Sequence, residues 1–143
     1  MEKEFIPYEM ALRMKQLGYD GSCFAMWSGF DEQNFSVTDM VRLYSSGFRI
    51  NGTQSSKFYV NDFNSLRVAA PTYSQAFRWF REKYELHSCI HSDYTWNISG
   101  GIWDLNEYKG SRYDWDYSNN YSTYEEAELS CLEKLIEIVK EKL

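Results

Sequence analysis

The chain has 143 residues, of which 43% are hydrophobic and 25% charged, a size and composition that suit one domain over residues 1–143. Its formal charge of −6 argues against general nucleic-acid binding and against an anionic membrane surface. Three widely spaced cysteines, Cys23, Cys89 and Cys131, predict reduced thiols in the cytoplasm, and the absence of an apolar run near Met1 predicts neither a signal peptide nor a membrane segment.

A first helix is expected over residues 7–17. Pro7 suits its first turn, and Gly18 suits a left-handed C-terminal cap. Met10, Met14 and Leu17 recur at helical spacing and should face the core, with Ala11 at the edge of the stripe. From residue 22 to residue 68 the chain turns aromatic, β-branched and rich in turn residues. Strands are expected at 23–27, 35–37, 41–44 and 57–60, and Asn51-Gly52 favours a tight hairpin turn after residues 48–50.

Pro71 opens a second helix and biases Ala70 toward extended geometry. Tyr73, Phe77, Phe80 and Tyr84 form an apolar stripe at spacings of four, three and four, and Arg78 and Arg81 flank it. Further strands are expected at 87–92, 95–99 and 101–105, with Gly100-Gly101 as a tight turn between the last two. Residues 108–121 read as an aromatic, acidic loop. A third helix begins near Thr123, where Ser122 with Glu125 and Thr123 with Glu126 both have capping-box spacing. Leu132, Leu135 and Val139 should form its buried stripe, widened by Cys131, Ile136 and Ile138. The expected class is therefore α+β, three helices packed on a mostly antiparallel β-sheet.

Catalytic signatures are sparse. No glycine-rich phosphate loop precedes a helix, and a Ser or Cys nucleophile would have to draw its base from only two histidines, His87 and His91. With Cys89 these form His-x-Cys-x-His, which on a strand projects three ligand-type side chains to one face, but a fourth metal ligand at recognisable spacing is missing. The run from Asp114 to Glu125 spaces acids and hydroxyls like an EF-hand calcium loop, yet Asn119 stands where the sharp-turn glycine belongs and no helix enters the loop. Asp114 and Asp116 are a carboxylate pair with nothing in their spacing that marks acid–base work. The expectation is a protein that is not an enzyme and needs no cofactor or metal.

Charge is unevenly placed. Residues 36–83 carry seven basic and three acidic residues, whereas residues 104–143 carry five basic and ten acidic ones. The basic middle holds Arg42, Arg49, Arg67, Arg78 and Arg81, whose planar guanidinium groups suit phosphate. Aromatic residues make up 18% of the chain, with twelve Tyr and five Trp, and Trp79, Trp27, Tyr44 and Tyr59 are candidates to stack on a base or to build core. Trp79 lies next to the second helix's apolar stripe, so both roles are open to it. The ligand-binding candidates are Arg78, Arg81, Trp79, Arg42 and Arg49.

The run from Pro71 to Tyr84, the run from Tyr124 to Ile136, and the opening Phe5-Ile6-Pro7-Tyr8-Glu9-Met10-Ala11 followed by Leu17-Gly18-Tyr19 together resemble small proteins of Bacteroidetes phages and prophages. The resemblance covers both ends and the middle helix but not residues 28–68. It implies a phage setting, hence the host cytoplasm, and carries over no residue roles. In that setting the expected function is sequestration of a small anionic, nucleotide-type ligand, such as a host-defence signal. Two alternatives stand beside it: a module that binds a host or phage protein through residues 108–121, and a metal-dependent enzyme using His87, Cys89, His91 or the Asp114 loop. A homo-oligomer is compatible with each.

Overall fold

The computed structural model describes residues 2–21, 23, 25–27, 41–43, 68–93, 98–105, 111–113 and 121–143. The class is α+β, with three α-helices among the described residues and antiparallel pairing throughout the described strands. Those strands form two three-stranded sheets, and the chain divides into two compact units, Met1–Gln75 and Ala76–Leu143. The expected strands at 35–37 and 57–60 and the hairpin at Asn51-Gly52 lie outside the described residues.

In the first unit, helix α1 (Tyr8–Gln16) follows Pro7, whose extended backbone serves as the N-cap, and ends before Gly18 at φ 83°. Only a residue without a Cβ takes that left-handed conformation freely, so the glycine stops the helix as its position suggests. Met10, Ala11 and Met14 are buried, while Leu17 is only half-buried. Strands β1 (Ala25–Trp27), β2 (Val41–Leu43) and β3 (Val68–Ala70) pair in the order β2-β1-β3. Strand β3 carries little local signal in the sequence, because its two alanines have little strand preference. Its small side chains are all buried, and it packs against α1.

The segment before α1 is pinned into this unit by backbone. Phe5 bridges Thr72, the Ile6 N–H donates to the Pro71 carbonyl at 3.0 Å, and the Trp27 indole N–H donates to the Ile6 carbonyl at 3.3 Å. The Trp27 ring meets Tyr8 edge-on, with centroids 6.4 Å apart. Deeper in, Tyr19 folds its ring over Gly21, and the Cys23 thiol donates to its hydroxyl at 3.4 Å. A Cβ on Gly21 would lie 2.4 Å from that hydroxyl oxygen.

Helix α2 (Tyr73–Tyr84) starts later than the proline suggests. Pro71 is still extended chain with its carbonyl engaged by Ile6, and Thr72 is the capping residue. Its hydroxyl accepts from the Gln75 N–H at 3.3 Å, and the Gln75 side-chain oxygen accepts from the Thr72 N–H at 2.9 Å. This reciprocal capping box satisfies donors that the first turn leaves without partners, and its Thr-x-x-Gln spacing is present in the sequence. The boundary between the two units falls just after this box.

In the second unit a single residue, Glu85 at φ 53°, separates α2 from strand β4 (Leu86–Ser92). Its carbonyl accepts from the Leu105 N–H at 3.2 Å. Strands β4, β5 (Ile98–Asp104) and β6 (Ser111–Tyr113) pair in that order. Gly100 and Gly101 are not the tight turn expected. They run through the middle of β5 opposite Ile90 and Cys89, and over Ile98–Asp104 the two expected strands on either side of them are one strand. The glycine at 101 makes room for Trp103, two residues on and on the same face, since an added Cβ would meet the indole at 3.3 Å. Residues 108–121 are also more than a loop: they contain β6, and Tyr121 bridges Ile98.

Helix α3 (Tyr124–Lys142) begins at the Thr123 cap. The Thr123 hydroxyl accepts from the Glu126 N–H at 3.2 Å, and the Glu126 carboxylate reaches back to the Ser122 N–H at 3.1 Å. Of the two spacings read from sequence, the Thr123–Glu126 one is used. Ala127, Cys131, Leu132, Leu135, Ile136, Ile138 and Val139 are buried, a face broad enough to cover a sheet. It packs on β4 and β5, above Leu86, Ile102 and the fully buried Asp104. Lys142, in the last turn of α3, pairs with the Asp104 carboxylate.

Two stability outcomes follow. Gly21→Ala overpacks a ring that is 1% exposed and cannot swing away, and should cost about 2 kcal/mol in urea unfolding. Lys142→Met leaves the buried Asp104 carboxylate without its cation and should cost about 3 kcal/mol, whereas adding Asp104→Asn should recover much of that loss. Equal stability of the Lys142→Met variant and the wild type would show that the pair is not needed.

Candidate functional site

Among the described residues, the candidates of the Ala76–Leu143 unit fall on two surfaces, one on helix α2 and one on the β4-β5-β6 sheet. Helix α2 exposes Ser74, Arg78, Arg81 and Glu82, positions that share one side of a 3.6-residue helix, and buries Tyr73, Ala76, Trp79 and Phe80 on the other. The apolar face is thus rotated from the expected stripe. Phe77 and Tyr84 lie at its margins, half-buried, and Ala76 and Trp79 take central places.

Trp79 is 6% exposed and packs edge-on against Phe80 and Tyr84, with centroid distances of 5.0 and 5.2 Å. The Lys83 ammonium stands 5.0 Å from the indole centroid, a cation–π contact that holds a charge near the cluster. The indole therefore has a packing role. Arg78 and Arg81 remain in solvent. The Arg78 guanidinium lies 4.0 Å from the Glu82 carboxylate, with both side chains about 70% exposed, so the pair is screened and weak. The result is two neighbouring guanidinium groups on the free face of a helix whose opposite face is fixed by aromatic packing. Arg42 lies in β2 opposite Met26, in the first unit, and Arg49 lies outside the described residues.

The second surface is the side of the β4-β5-β6 sheet turned away from α3. Alternation along the strands puts Leu86, Ser88, Ile102 and Asp104 under the helix and His87, Cys89, His91, Ser99, Gly101 and Trp103 on the other side. Cys89 and His91 are exposed, while His87, Ser99 and Trp103 are half-buried. His91 Nε2 and the Ser99 hydroxyl lie 3.1 Å apart, directly across the ladder. The one-face projection of His-x-Cys-x-His is present, but the same regular strand holds His87 and His91 about 13 Å apart along its length. Among the described residues no group of three His, Cys, Asp or Glu side chains gathers as a metal set. Most of the run from Asp114 to Glu125 lies outside the described residues. Glu125 itself is exposed in the first turn of α3.

The other two cysteines are buried and chemically quiet. Burial pushes the Cys23 thiol up to about 11, against a smaller opposing effect of its contact with Tyr19. Burial likewise pushes Cys131 up to about 12, partly offset by its hydrogen bond with Ser88. Burial also raises the Tyr19 hydroxyl, and the neighbouring Cys23 and Asp20 add to the shift. No helix among the described residues is long and apolar enough to cross a membrane. No family model, curated protein or solved structure matches the chain.

A thiol count separates these environments. Between pH 7 and 9 the folded protein should react with a thiol reagent rapidly at one cysteine, Cys89. Cys23 and Cys131 should react only after denaturant exposes them, since they stay both covered and protonated. Rapid labelling of two or three sites in the folded state would contradict this burial.

Proposed function

We propose that the protein is a phage-encoded, non-enzymatic binding protein that sequesters a small anionic ligand of the nucleotide type, a host-defence signal being the class that fits a phage setting. Arg78 and Arg81 hold phosphate, and Arg42 and Arg49 are the further candidate donors. The observation that carries this reading is the pair of exposed guanidinium groups on one face of α2, within the basic middle of an acidic chain. Guanidinium groups bind phosphate through forked, charge-assisted hydrogen bonds. The capping box at Thr72 and the aromatic cluster around Trp79 support the reading from behind, because a stiff platform loses little entropy when ligand binds. Trp79 serves as the anchor of that platform, and stacking on a base falls to a strand-borne aromatic.

Titration calorimetry with cyclic dinucleotides, cyclic mononucleotides and ADP-ribose derivatives tests it. Binding of at least one of these is expected, weakened about tenfold by either Arg78→Ala or Arg81→Ala, in line with one lost charge-assisted hydrogen bond. Both substitutions alter exposed side chains and should leave the thermal midpoint near that of the wild type. Absence of heat with every nucleotide at high protein concentration would sink the proposal.

A further inference from the structure

The strand β4 ends its sheet, and among the described residues its outer edge has no backbone partner. Exposed edges are normally blunted by brevity, charge, proline or a bulge, since unpaired N–H and C=O groups invite another strand. This edge has none of these guards. It is seven residues long, Leu86-His87-Ser88-Cys89-Ile90-His91-Ser92, with no Lys, Arg, Asp, Glu or Pro. Its pairing with β5 runs through all seven residues without a bulge.

We propose that β4 pairs antiparallel with β4 of a second copy of this chain, about a two-fold axis through Cys89. The strand's own symmetry selects this register. Cys89 is the central residue, so only an axis there pairs all seven residues. It sets Leu86 opposite Ser92 of the second copy, His87 opposite His91, Ser88 opposite Ile90, and Cys89 opposite Cys89. The two histidines stand equally far from the axis, and each meets its counterpart on the side turned away from α3.

Charge argues for the same partner. Two copies at −6 each repel as wholes, but β4 holds no Lys, Arg, Asp or Glu, so self-pairing sets no such like charges opposite one another. A two-fold axis perpendicular to the sheet gives a continuous sheet in the order β6-β5-β4-β4-β5-β6, with both α3 helices on one side. Such an interface is isologous, which closes at two subunits and uses up both β4 edges.

Sedimentation equilibrium on the full chain under reducing conditions tests this, with a short bis-maleimide as a crosslinking probe. The expected result is a dimer that the probe links through Cys89, because residues directly opposite in an antiparallel pair stand about 5 Å apart at Cα. Cys89→Ser should keep the dimer and lose the link. Cys89→Lys should weaken the dimer about tenfold by placing two cations on the axis, and because residue 89 is exposed its far-ultraviolet circular dichroism should match the wild type. A monomer at all concentrations would overturn the proposal. So would a dimer that Cys89→Lys leaves equally tight and that the probe cannot link at Cys89. Should the lysine variant fail to fold, crosslinking of the wild-type chain decides by itself.

Discussion

The buried carboxylate of Asp104 is the constraint on which the Ala76–Leu143 unit depends. A carboxylate that is wholly out of water costs several kcal/mol unless it is paired and hydrogen-bonded. Lys142 supplies the cation from the last turn of α3, near the opposite end of the helix from its Thr123 cap. Apolar contacts tolerate sliding, but an ion pair at the helix terminus does not, so the pair fixes where along the sheet α3 comes to rest. With α3 seated over Leu86, Ile102 and Asp104, the alternation of β4 and β5 turns the intervening side chains to the opposite side. The surface that carries His87, Cys89, His91 and Trp103 is a by-product of where one acid is buried.

Helices were readable because their signals are redundant. In α3 the cap, the apolar face and the length all agree, and each buried position expected there is buried. In α1 the stop at Gly18 is a matter of backbone sterics alone, which sequence reports directly. Strands were harder, since short strands take their identity from partners that a linear reading does not show. Ala69 and Ala70 look like nothing in particular until α1 lies against them. Gly100-Gly101 has the composition of a turn, and what overrides it is Trp103, whose indole needs the space a side chain at position 101 would fill. Tertiary packing thus reversed a sound local inference.

The candidate site was legible in the same uneven way. The exposure of Arg78 and Arg81 follows from helical spacing, and the structure keeps both on one free face. Trp79 sits one position from the expected stripe, and spacing alone does not say which way a helix is rolled. Aromatic partners settle it, because Phe80 and Tyr84 are both within edge-on distance of the indole. The His-x-Cys-x-His reading shows a different limit. Alternation correctly placed the three residues on one face, but the rise of a strand spreads them along a line, whereas a metal needs donors gathered around a point.

Glu85 has a consequence for how this chain can change over time. It is the sole residue between the end of α2 and the start of β4, and it makes the reversal in a left-handed conformation that a glutamate adopts at a cost. A linker of one residue leaves no slack, so the phase of the strand is dictated by the roll of the helix. Insertion or deletion of a single amino acid here would exchange inside for outside along all of β4, sending Leu86 to the surface and the Cys89 position beneath α3. Longer connections absorb such length changes. At this joint they are forbidden, which makes the junction intolerant of any change in length although its side chain is exposed.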